Sequence, residues 1–140
     1  MKELKINHPA VWVSILLQFV IGFIWYGPLF GDAWMKMSGL DMATIEADPA
    51  DATDWMVNVI SSVTAIYVLA WLITKTNAGS WAKGAGLGLL IGFSFVLLSV
   101  LTSNIFGKLP FGLAWITGGF TTVGLGVGGL VLGAWRKYKA

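Results

Sequence analysis

The sequence predicts an all-α membrane protein, a four-transmembrane-helix bundle with both termini on the inner side (N-in/C-in). Three observations carry that class. Hydrophobic residues make up 56% of the 140-residue chain and charged residues only 11%, too few charges to clothe a water-facing surface. Four long windows contain no Asp, Glu, Lys or Arg. The lysines and arginines between those windows are unevenly shared between the two ends. The length allows one domain. Cysteine is absent, which removes disulfides, thiolate metal sites and a cysteine nucleophile.

The first charge-free window lies between Lys5 and Asp32 and holds a span over about residues 9–29. It is too long for a signal peptide and lacks a small-x-small cleavage site, so it reads as a retained helix. Pro28 cannot donate an amide hydrogen bond and crowds the preceding turn, so this helix should break near Gly27. An acidic outer loop, 31–53, follows and carries five acids before Asp54, with Met42 to Ala47 a candidate short interfacial helix. Asp51 and Asp54 precede the second span, 55–74, where carboxylates complement the positive end of a helix dipole. No D-x-D-x-D-G spacing supports calcium in this loop, and no metal is expected. The third span covers 84–106 and the fourth 110–135. Each window meets the length of about 20 residues needed to cross the hydrocarbon. Backbone amides find no water there, so each must be a helix.

With the N-terminus inside, the inner ends carry Lys2, Lys5, Lys75, Lys83, Arg136, Lys137 and Lys139, and the outer ends only Lys36 and Lys108. That bias sets the orientation. Trp12, Trp71, Trp81 and Trp135 fall at inner ends, and Trp25, Trp34, Trp55 and Trp115 at outer ends. They read as interfacial belts rather than as a ligand cage.

Helices in lipid associate where small residues let backbones approach. Gly84, Gly88, Gly92, Ser99, Thr102 and Ser103 share one arc of the third helix at 100° per residue, and Gly118, Gly119, Thr122, Gly126, Gly129 and Gly133 one arc of the fourth. These two faces are expected to touch. Gly124 and Gly128 lie opposite, so the fourth helix should have a second close neighbour, with another subunit as one candidate. Ser14, Gln18, Gly22 and Trp25 form a stripe on the first helix, and Asn58, Ser61, Ser62 and Ala65 one on the second. An unpaired amide at mid-span is costly, so Gln18 should face the interior. Trp25, Tyr26, Asn58 and Asn104 lie at outer ends, where polar side chains would meet the carbonyls that Pro28 leaves open; they form the candidate outer pocket. Gln18, Thr64 and Ser94 are the mid-span polar candidates.

The stretch Trp25-Tyr26-Gly27-Pro28-Leu29-Phe30-Gly31-Asp32-Ala33-Trp34-Met35-Lys36, with Ile6-Asn7 ahead of it, resembles the small bacterial four-helix membrane proteins grouped as domain-of-unknown-function family 1761. Similarity continues at Ser103-Asn104-Ile105-Phe106, Trp115-Ile116 and Gly133-Ala134-Trp135. Asp32 stands where such proteins often carry a basic residue. The resemblance implies a multi-pass fold and a bacterial inner-membrane location, and no activity.

An enzyme is not expected. His8 is the single histidine, and no Ser-His-Asp set, paired intramembrane carboxylates or HExxH is present. Spans without a formal charge also argue against proton- or cation-coupled transport. The leading expectation is an oligomeric or accessory assembly component, a homo-oligomer or part of a larger membrane complex. The alternative is a small oligomeric transporter or channel for a neutral or weakly polar solute. Membrane lipid is the expected surrounding, with no cofactor. Nucleic acid is not an expected partner, because the few basic residues sit at membrane boundaries, beside anionic headgroups.

Overall fold

A computed structural model describes residues 3–139, so Lys2 lies outside the described residues. A short strand β1 (Leu4–Lys5) leads into α1 (His8–Ile24), followed by a π-turn at Trp25–Leu29 whose backbone leaves helical geometry at Gly27 (φ −100°, ψ −107°), the break expected ahead of Pro28. Two short helices, α2 (Gly31–Ser38) and α3 (Met42–Ala47), occupy the connection to α4 (Ala52–Lys75). The third rod is α5 (Trp81–Ile91), a second π-turn over Gly92–Leu97, and α6 (Leu98–Phe106). Then come α7 (Phe111–Ala134) and strand β2 (Lys137–Tyr138). The result is an all-α bundle with four helices long and apolar enough to cross a membrane: His8–Leu29, Ala52–Lys75, Trp81–Phe106 and Phe111–Ala134.

Local chemistry fixes the helix ends. Asp51 and Asp54 form a reciprocal capping box at the start of α4, which satisfies orphan amides of the first turn. Ser80 accepts from Lys83 N at 3.2 Å to start α5. The Asp41 carboxylate accepts from both the amide and the hydroxyl of Thr44 at the start of α3, and these bonds hold its carboxyl below the usual range. Gly39 ends α2 in the left-handed conformation at φ 70°, which glycine reaches without steric cost.

The core is organised around α7. Half of its span is buried, against 28% or less for each of the others. On one side it meets α5 through glycines at near-contact of the two backbones. A Cβ at Gly84 would overlap the carbonyl of Gly129, one at Gly88 that of Leu125, and one at Gly133 that of Ser80. Farther along, a Cβ at Gly92 would lie 2.5 Å from Thr122 Cα, and one at Gly118 2.7 Å from Leu97 Cα. On the other side Gly124 and Gly128 receive Gln18 and Ser14 of α1 and Ile66 of α4. The second neighbour of α7 is therefore supplied from within the chain, and the two-sided glycine pattern no longer points to another subunit.

The π-turn changes the face that α6 presents. An α-helical phase would carry the line Gly84, Gly88, Gly92 on to Ser99, Thr102 and Ser103. The extra residue in a π-turn advances the phase by one position. Leu97 and Asn104 are buried instead, and Ser99, Thr102 and Ser103 are exposed. Thr102 returns its hydroxyl to its own helix at Leu98 O, 2.9 Å.

The first helix runs antiparallel to α7 and is tied to it at three levels. Asn7 Nδ2 donates to Trp135 O at 3.0 Å. Ser14 Oγ donates to Ala10 O at 2.8 Å and reaches Gly128 O at 3.5 Å. Trp25 Nε1 donates to Ile116 O at 2.9 Å. Beyond Asn7, β1 pairs with β2 (Leu4 with Tyr138, Lys5 with Lys137), so the two chain ends lie together at one end of the bundle.

Candidate functional site

Helices α1 and α4 touch through Val11, Ile15, Ile66, Leu69 and Ile73, all buried, and diverge beyond that contact. Every residue of α4 from Ala52 to Ser61 is exposed, and its first buried residue is Ile66. The divergence opens a cavity of about 370 Å³ between the second half of α1 and the first half of α4, with Phe120 of α7 as its floor. That volume lies within the roughly 300–1,000 Å³ of small-molecule sites.

The lining follows helical spacing. Gln18 and Gly22 on α1, with Tyr26 in the π-turn that follows, recur every fourth residue, as do Asn58 and Ser62 on α4, and each set lines the cavity from one side. Phe19, Phe23 and Trp55 form the apolar walls. Gly22 leaves the floor accessible, since a Cβ there would sit 3.4 Å from the Phe120 ring. Tyr26 is held edge-on between Trp34 and Phe120, with ring centroids 5.7 and 5.3 Å away.

Gln18 is the polar centre of the cavity. It is 8% exposed, and its amide lies over Gly124, where a Cβ would be 3.4 Å from Nε2. Among the described residues its side chain has no hydrogen-bond partner, although it borders the cavity together with Tyr26, Asn58 and Ser62. The amide is accessible from the cavity rather than sealed off; an amide without a partner in apolar surroundings is costly, and a group with a donor and an acceptor placed in this cavity would relieve that cost. The arrangement can bind and orient a polar group amid aromatic walls. It offers no nucleophile–base pair.

The structure thus brings Tyr26, Asn58 and Gln18 together and separates them from the other candidates. Trp25 turns to α7, where its indole bonds Ile116 O and its ring packs on Phe30 at 4.7 Å. Asn104 is buried on the α7-facing side of α6, outside the cavity lining, and its Nδ2 has no partner. Thr64 and Ser94 are exposed and do not reach the cavity. The carbonyls near Pro28 are also met differently from expectation: Phe30 N donates to Trp25 O at 2.9 Å across the π-turn. Close chain reversal then requires glycine at position 31, where a Cβ would lie 2.6 Å from Tyr26 O. Phe19, Phe23 and Phe120 were missed by sequence reasoning. The i, i+4 pair Phe19–Phe23 beside Gln18 was a usable signal, whereas Phe120 joins only through the antiparallel register of α1 and α7.

Among the described residues no group of three or more His, Asp or Glu side chains converges on a common point. The family described as "Protein of unknown function (DUF1761)" matches residues 9–133. No curated protein and no solved structure matches the chain.

Proposed function

We propose that this chain, which belongs to the DUF1761 family of proteins of unknown function, is a non-catalytic, membrane-embedded binding protein for a small neutral solute. The ligand class is an uncharged molecule with an apolar body and a hydrogen-bonding amide or hydroxyl group. The observation that carries the reading is Gln18, a largely buried residue whose amide is unpartnered among the described residues and borders a cavity with aromatic walls. A charged ligand fits poorly, because no formal charge lines that cavity and an uncompensated ion in such surroundings is strongly disfavoured. The positive-inside bias puts the termini on the cytoplasmic side and opens the cavity toward the outer half of the bilayer. Entry is lateral, between the separated ends of α1 and α4. The same cavity is where a carrier of neutral solutes would hold its cargo.

The test uses the full chain in mild detergent and in liposomes. Neutral amphiphilic alcohols and amides should raise its thermal midpoint in a saturable way, and Gln18→Leu should weaken that binding on the order of tenfold, the worth of one to two buried hydrogen bonds. No saturable shift with any such compound, or shifts unchanged in Gln18→Leu, would sink the reading. Solute flux from liposomes then separates carrier from binder.

A second reading, an oligomeric or accessory component of the bacterial inner membrane, draws on a different observation. The first half of α4 presents Trp55, Met56, Val57, Val59 and Ile60, all exposed, as a face that a second copy or a larger membrane protein would cover. A strict monomer by native mass spectrometry, with no co-purifying partner, removes this reading and leaves the first intact.

A further inference from the structure

The end of the bundle that carries the chain termini has a cavity of its own, unrelated to Gln18. Strand β1, the start of α1 and the end of α4 with its following turn border an open pocket of about 550 Å³. Three lysines line it, Lys5, Lys75 and Lys139, against a single carboxylate, Glu3. Glu3 is already engaged: Lys139 Nζ donates to its Oε2. Lys5 and Lys75 therefore border the pocket without a direct ion pair among the described residues, although the Lys75 charge also acts on Glu3 from a distance. The Asn77 side chain borders it as well.

The surroundings set the depth. Lys75 Nζ lies 5.9 Å from the centroid of the Trp71 ring, which also lines the cavity. Tryptophan at a span end marks the headgroup level, with apolar ring below and water above. Lys5 comes from the start of the sequence and Lys75 from its middle, and the ribbon of β1 on β2 holds the first of them at the mouth. Lysines at headgroup depth around a pocket, outnumbering its one carboxylate, are suited to a phosphate-bearing anion.

We propose that this cavity binds a phosphate group, presented by the headgroup of an anionic phospholipid. The test is native mass spectrometry of the full-length protein in mixed micelles of phosphatidylglycerol and phosphatidylcholine with matched acyl chains. Phosphatidylglycerol should be retained on the order of tenfold over phosphatidylcholine. The double variant Lys5→Gln/Lys75→Gln should bring the ratio to parity, while Lys36→Gln/Lys108→Gln, at the opposite end, should keep it. Equal retention of the two lipids by the unaltered protein, or a preference that survives the Lys5/Lys75 change, overturns the proposal. Added inorganic phosphate separates the two sources of the same chemistry. Displacement of phosphatidylglycerol shows that the site reads free phosphate, and its failure assigns the site to lipid. If the double variant does not fold, the unaltered protein still decides: its preference must fall with rising salt, and a salt-independent preference rejects the site.

Discussion

The third rod and α4 both pack beside α7, yet one contact is closed and the other half open. Along α5 the fit to α7 has no room for a Cβ at Gly84, Gly88, Gly129 or Gly133. Along α4 the fit is good only from Ile66 onward, where Leu69, Ala70 and Ile73 are buried, and the first half stands away. The difference follows from residue size. Glycines at spacings of four on both partners bring two backbones together and exclude lipid and ligand alike. The first half of α4 turns Trp55, Asn58 and Ser62 to the gap instead, over Phe120 rather than a glycine row, and stays apart. In hydrocarbon, closure needs small residues; apolarity alone leaves a gap.

That comparison can be broken most directly at its closed side. Gly88→Val places side-chain carbon onto the Leu125 carbonyl and should cost roughly 3 kcal/mol or more, read as a lowered midpoint of unfolding in mixed micelles. A loss under about 1 kcal/mol would mean that the two backbones are not held in contact. Asn104→Leu acts in the opposite direction. It removes a buried amide nitrogen that has no partner, so the same assay should show a gain of about 1–2 kcal/mol. On the open side, Ser62→Phe should change stability by less than about 1 kcal/mol, because it adds volume to an existing space. It should abolish the thermal shift given by neutral amphiphiles. If it destabilises as strongly as Gly88→Val, the two interfaces do not differ as described.

The smallest effect concerns the terminal ribbon. Hydrogen bonding and then charge from Lys139 hold the Glu3 carboxyl below its ordinary 4.5. A carboxyl lowered in the folded state contributes above the unfolded value and loses that contribution as pH falls through the folded one. Protection of the Lys139 amide, its exchange rate divided by that of an unstructured amide at the same pH, should therefore fall on acidification below about 4.5 and stay constant from there to neutrality. Both partners are largely exposed, so the global midpoint should barely move.

The class of the fold was legible because hydrocarbon imposes one rule on every residue of a span, and charge-free windows record it directly. The site was legible in part. Gln18, Tyr26 and Asn58 declared themselves as polar groups on apolar faces, and the structure brings them to one cavity. The phase of α6 was not legible. Nothing in Gly92-Phe93-Ser94-Phe95-Val96-Leu97 announces a π-turn, and a single extra residue rotated Asn104 inward and Ser103 outward. Trp25 misled for a related reason: it neighbours Tyr26 in sequence, but adjacent residues on a helix point about 100° apart, so its indole serves α7 instead of the cavity.

The central position of α7 also bears on how the bundle is made. It is the last of the four spans to be synthesised, and it is the rod against which α1 and α5 lay most of their buried surface. The earlier three must wait in the bilayer for times on the order of seconds with little to grip. During that interval Gln18 and the glycine face of α5 lie open to lipid or to neighbouring chains. A chain halted before Phe111 should therefore be a loose set of inserted helices, prone to capture by any insertion chaperone or protease that recognises unpaired spans.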